Sequence, residues 1–118
     1  MDDSSRKFQK DLNAGLVALV LLAVLDGSSE DLYGYEIAKR LQKANEGEAL
    51  FKEGTIYPVL RALAAGGFLT SRVVPSYSGP ARRYYRITGE GRALLRQWSG
   101  IWRQTRGFVD RFIEGTQP

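Results

Sequence analysis

The chain reads as mainly α with a small β-hairpin (α+β): a helix-turn-helix followed by a hairpin, with a long helix before it and another after it. Three observations predict this. Leu16 to Leu25 is an unbroken apolar run, which marks a helix buried on every side. Val59, Leu60, Leu63 and Ala64 fall at helical spacing, and the apolar-rich stretches Phe68 to Val74 and Tyr84 to Thr88 follow, separated by turn-forming residues from Pro75 to Pro80. Near the end, Leu94, Trp98, Ile101, Thr105, Phe108 and Phe112 are spaced 4, 3, 4, 3, 4, a heptad seam that calls for a partner helix.

Taken in order, residues 1–10 are polar and charged and are expected to form a flexible arm. Asp11 is placed to cap a helix from Leu12 to Asp26, closed by Gly27. That helix is too short to cross a bilayer and lacks a small-residue cleavage site, so no membrane partner is expected. Burial in the core or at a subunit interface fits it better. Asp31 is the expected cap of a helix from Tyr33 to Ala44, with Ile37, Ala38 and Leu41 inward and Lys39, Arg40 and Lys43 toward water or phosphate. After a Gly-containing connection, the next helix spans Glu53 to Gly66. With Gly54 or Thr55 as N-cap, Pro58 falls in the first turn, where its missing N–H costs nothing.

This second helix of the pair holds Thr55 and Tyr57 at its positive end, with Lys52 and Arg61 adding charge nearby. Two accounts stand for Thr55 and Tyr57: a cap and a packing tyrosine, or contacts to a nucleic-acid groove. Gly66-Gly67 ends the helix and Phe68-Leu69 returns the chain to the core. In the hairpin Tyr85 and Ile87 point inward, while Arg82 and Arg83 sit at its base. They are either a solvated edge that deters strand pairing or contacts to a flanking backbone. Thr88 caps the last helix, which runs to about Ile113. Gly100 and Gly107 within it either permit close helix approach or loosen it.

Charge and missing residue types narrow the function. The net charge is +4 in 118 residues. From Arg72 to Arg111 there are nine arginines (72, 82, 83, 86, 92, 96, 103, 106, 111) against Glu90 and Asp110. Basic charge thus gathers in the hairpin and last helix, as a polyanion partner would require. With neither histidine nor cysteine, the usual general base, thiol chemistry and transition-metal ligands are missing, so no enzyme, metal or cofactor is expected. The lack of cysteine fits the cytoplasm.

Three blocks carry a resemblance: Tyr33-Gly34-Tyr35-Glu36-Ile37-Ala38; Glu53-Gly54-Thr55-Ile56-Tyr57-Pro58-Val59-Leu60; and Gly79-Pro80-Ala81-Arg82-Arg83-Tyr84-Tyr85-Arg86-Ile87-Thr88 followed by Gly89-Glu90-Gly91. In order and spacing they resemble the signature blocks of the PadR family of bacterial transcriptional regulators, over roughly Leu12 to Leu95. The resemblance implies a winged helix-turn-helix with N- and C-terminal dimerisation helices, partnered by double-stranded DNA and by a second copy of itself. It also implies repression relieved by a small molecule. Residues 11–88 would be the DNA-binding domain and 89–118 the dimerisation helix and tail. Tyr35 and Lys39 would touch the DNA backbone, Thr55 and Tyr57 would enter the major groove, and Arg82 with Arg83 would anchor the wing. Trp98 and Trp102, one turn apart, either pack a dimer interface or enclose a small planar aromatic effector, as in some members similar to this chain. A winged helix that binds protein instead of DNA is the rival, with Glu46, Glu48 and Glu53 in its favour.

Overall fold

The first helix begins where a capping carboxylate stands, well before the apolar run. Asp2 Oδ1 accepts from Ser5 N at 2.7 Å, and α1 spans Asp3–Asp26. One-turn pairs, Lys7 to Asp11 at 2.7 Å and Gln9 to Asn13 at 2.8 Å, support these early turns. Residues 3–10 therefore belong to the helix, a correction to the expected separate arm and to the expected start at Leu12. At 24 residues α1 is long and apolar enough to cross a membrane by length and composition, contrary to the sequence estimate. Here, however, its Val17, Leu21, Leu22 and Leu25 form the centre of the core. Burial is one-sided: Leu12 is exposed, and Leu16, Leu19, Val20 and Val24 are only partly covered.

The computed structural model describes residues 1–115. After α1 come β1 (Leu32–Tyr33), α2 (Gly34–Ala44), α3 (Glu53–Ala65), β2 (Leu69–Val74), β3 (Arg82–Ile87) and α4 (Gly89–Ile113). The hairpin β2–β3 is antiparallel, with Leu69 opposite Ile87 and Val74 opposite Arg82. A short strand absent from the sequence reading, β1, completes a sheet of order β1-β3-β2 by pairing Leu32 with Tyr85 and Tyr33 with Tyr84. Tyr85 and Ile87 are buried, as their alternation predicts. Arg82 and Arg83 lie at the tip end of the ladder; the expected position at the hairpin base is corrected.

Two expected caps also move. Asp31 caps nothing: Tyr33 holds the N-cap position of α2, and the Glu36 carboxylate accepts from Tyr33 N at 3.1 Å. Asp31 instead accepts from Arg72 Nε at 2.9 Å and Arg86 Nε at 2.5 Å. At α3 the N-cap position is Lys52, so Pro58 sits inside the helix. A proline there lacks the N–H that would bond the Gly54 carbonyl.

The last helix is rooted in the sheet. The Thr88 hydroxyl accepts from Gly91 N at 3.0 Å and donates to Gly67 O at 2.8 Å, and a Cβ on Gly91 would stand 2.1 Å from Phe68 O. Leu94, Leu95 and Trp98 then pack against the core, and Arg92 pairs with Asp26 of α1 at 3.2 Å. Beyond them α4 leaves the body. Ile101 (57 %), Phe108 (55 %), Phe112 (74 %) and Ile113 (75 %) are exposed, and Phe108 and Phe112 sit ring to ring at 5.0 Å.

Candidate nucleic-acid interface

The period of α3 divides its residues cleanly. Ile56, Leu60 and Leu63 are buried, whereas Gly54, Thr55, Pro58, Arg61 and Ala62 lie on the outer side. This outer side forms a ridge. On one flank a groove of about 500 Å³ separates it from the wing, lined by Tyr35, Tyr57, Arg61, Arg82 and Arg83 together with Tyr33, Gly34 and the hairpin tip. Five sequence-predicted residues from three elements thus meet in one place. Lys39 stands beside them, its ammonium 5.3 Å from the Tyr35 ring centre. Lys52 and Thr55 do not join this groove; they lie on the other flank of α3, facing α1.

Tyr57 is both packed and turned toward the groove. Its ring covers the backbone of Gly34, where an added Cβ would come within 2.3 Å of Cε1, so it spaces α2 from α3. Its remaining surface lines the groove. Burial, and secondarily the Glu53 carboxylate one turn earlier, push the phenol above its ordinary value of 10.0. It therefore remains a hydrogen-bond donor throughout the physiological range.

Aromatic rings tie the wing to α2. The Arg82 guanidinium lies 4.6 Å from the Tyr33 ring centre. Tyr33 in turn stacks on Tyr35 at 6.1 Å and meets Tyr84 at 5.3 Å, and Arg72 lies 5.0 Å from the Tyr84 ring. Arg83 Nη1 donates to Ser71 Oγ at 3.2 Å, bridging the two wing strands. Among the wing arginines, Arg72 and Arg86 thus share the single Asp31 carboxylate, whereas Arg82 and Arg83 have no acidic partner among the described residues. The Arg72 and Arg86 bonds hold the Asp31 carboxyl below its ordinary value.

Sequence reasoning missed Tyr33 and Asp31 as organisers of this surface. Tyr33 lies inside the first recognised block, but its role depends on β1, a two-residue strand too short to leave a pattern. Trp98 packs inward and Trp102 is partly exposed; neither lines the groove beside the wing or the one beside α1.

Comparison with known proteins follows the same geometry. The family model described as "Transcriptional regulator PadR-like family" matches residues 21–97. A PadR family transcriptional regulator from Eggerthella lenta DSM 2243 is 31% identical, covering 98% of this chain and 96% of its own, with a TM-score of 0.80. A transcriptional regulator from Clostridium thermocellum is 30% identical over 87% of this chain and 98% of its own, at a TM-score of 0.78. Bacillus subtilis PadR, solved in complex with operator DNA, is 25% identical over 70% of this chain and 45% of its own, at a TM-score of 0.61.

Proposed function

The chain belongs to the PadR-like family of transcriptional regulators, and on that premise we propose that it represses transcription as a homodimer on a pseudo-palindromic operator. The observation that carries the reading is the convergence of Tyr35, Tyr57, Arg61, Arg82 and Arg83 on one groove beside the free ridge of α3. In this reading α3 enters the major groove, with Thr55 and Tyr57 at its N-terminal end reaching base edges and phosphates. Arg82 and Arg83 hold the neighbouring backbone from the wing, and Tyr35 with Lys39 steadies the strand beside α2. The operator complex of Bacillus subtilis PadR supports duplex DNA as the partner.

The homodimer is supported by α4. Ile101, Phe108 and Phe112 expose an apolar stripe that a second copy would bury, with Leu94 and Trp98 continuing the seam toward the core. Two-fold symmetry then sets the half-sites about 34 Å apart or a multiple of it. Release by a small planar aromatic molecule between Trp98 and Trp102 of the two copies completes the proposal, and the protein would act in the cytoplasm. Binding-site selection on randomised duplexes, followed by band shifts, tests the whole. A two-fold related consensus is expected. Selection that enriches no sequence, with no retardation even at low salt, would favour a protein-binding winged helix.

A further inference from the structure

A helix lying in the major groove is walled by phosphates on both sides, because the groove is about 12 Å wide and a helix with its side chains about 10 to 12 Å across. The wing supplies cations on one flank of α3. The other flank is a second trough of about 560 Å³ between α3 and the early turns of α1. Its lining includes Arg6, Gln9, Lys10 and Asn13 from α1 and Lys52 and Thr55 from the start of α3, and no acidic residue. The α1 residues share one helical face by their spacing. Asn13 fixes that face to the segment before α3, its amide donating to Leu50 O at 3.1 Å.

We infer that the Arg6 and Lys10 face of α1 grips the phosphate backbone on the side of α3 opposite the wing, an inference that rests on the DNA-binding reading above. Lys10 and Lys52 have no ion pair among the described residues. Arg6 has only an exposed contact with Asp3 at 3.6 Å, which a phosphate displaces at little cost. The other charges nearby are Lys7, held by Asp11 at 2.7 Å outside the trough lining, and Glu53 at the start of α3. Phe8 and Leu12 are exposed on the opposite side of α1. A protein partner covering those apolar residues would leave the cationic face free.

The test measures duplex affinity against salt for the full chain, on the selected site and on a mixed-sequence duplex. Arg6→Ala with Lys10→Ala should lower the log-log slope by about 1.8, close to 0.9 per lost phosphate contact, while sequence preference survives. Hydroxyl-radical cleavage should show backbone protection lost on the flank away from the wing alone. Lys7→Ala, the loss of one charge outside the trough, should leave the slope unchanged. A double variant that is folded by circular dichroism yet keeps the wild-type slope overturns the inference and leaves the DNA-binding reading standing. A drop of about 0.9 in Lys7→Ala overturns it too, since general charge would then suffice. If the wild-type chain binds no duplex at any salt, both fall. Should the double variant lose its helical signal, Lys10→Gln alone carries the test, with an expected drop of about 0.9.

Discussion

The α3 helix and the outer half of α4 are both amphipathic, yet they stand in opposite conditions. Ile56, Leu60 and Leu63 of α3 are covered by the chain's own core, and what remains outward is polar or small. In α4 from Ile101 onward the apolar side chains are left in solvent along with the polar ones. The first region is finished within one chain and offers charge and hydrogen bonds to a ligand. The second leaves apolar surface uncovered within one chain, which the proposed second copy would bury. In the proposed dimer, folding and assembly would draw on the same force at two places, and DNA contact would be left to electrostatics.

The largest break in this contrast should come from Phe108→Glu combined with Phe112→Glu. Sedimentation should shift to the monomer while circular dichroism of the body persists. Operator affinity should fall by about 10² to 10⁴, the gain that linking two sites confers. A dimer that survives both charges would place assembly elsewhere.

Gly34→Ala attacks the finished region from inside. Its methyl collides with the Tyr57 ring, and forced overpacking of this kind costs about 1 to 3 kcal/mol, read as a lower melting temperature. Most of that cost should vanish in a Tyr57→Ala background, since the two sites share one contact. Additive losses would show that the α2 backbone itself cannot accept the methyl group.

A smaller effect is expected from Asp31→Asn, which releases Arg72 and Arg86. Both arginines are well exposed, so stability should fall by no more than about 1 kcal/mol. The Asp31 carboxyl is held below 3.8 in the folded chain. Its contribution is therefore full above the unfolded-state value and is lost as pH falls through the lower folded-state value. The variant should melt below wild type at neutral pH and converge with it in strong acid. Freed of Asp31, the wing should bind DNA with a steeper salt slope, by up to about 1.8 for two added contacts.

The finest distinction separates phosphate holding from base reading. Arg82→Ala should weaken all sequences alike, with a slope lower by about 0.9. Tyr57→Phe should reduce preference for the selected site and leave non-specific binding intact. The reverse pattern would exchange the two roles.

The sequence exposed what depends on near neighbours. Buried Ile37, Leu60, Tyr85 and Ile87, the cap at Thr88 and the end of α4 all follow from spacing or a single side chain. It hid what depends on tertiary pairing. Asp31 stands where a cap belongs and does so plausibly; only the arrival of Arg72 and Arg86 from distant strands gives it other work. Arg82 stands at the tip end of the hairpin and not at its base because strand limits follow hydrogen bonds, and β3 begins two residues before its apolar alternation shows. The early turns of α1 read as an arm because their helix is held by Asp2 and by paired polar side chains, with no apolar stripe to announce it. Of the expected site residues, Tyr35, Tyr57, Arg61, Arg82 and Arg83 line the groove beside the wing, while Lys52 and Thr55 lie on the other flank of α3.

Gly91 lies against the Phe68 carbonyl and Thr88 ties the start of α4 to Gly67, leaving no slack between that helix and strand β3. A helix of 25 residues is about 38 Å long, so it works as a rigid crank whose short end is the wing. A tilt of about 5° at its far end sweeps about 3 Å there over that length, and the clamped root turns the sheet by the same angle. A molecule wedged between two cranks would in this way change the reach of both wings without touching either, and spin-label distances between the wing tips of a dimer would register the motion directly.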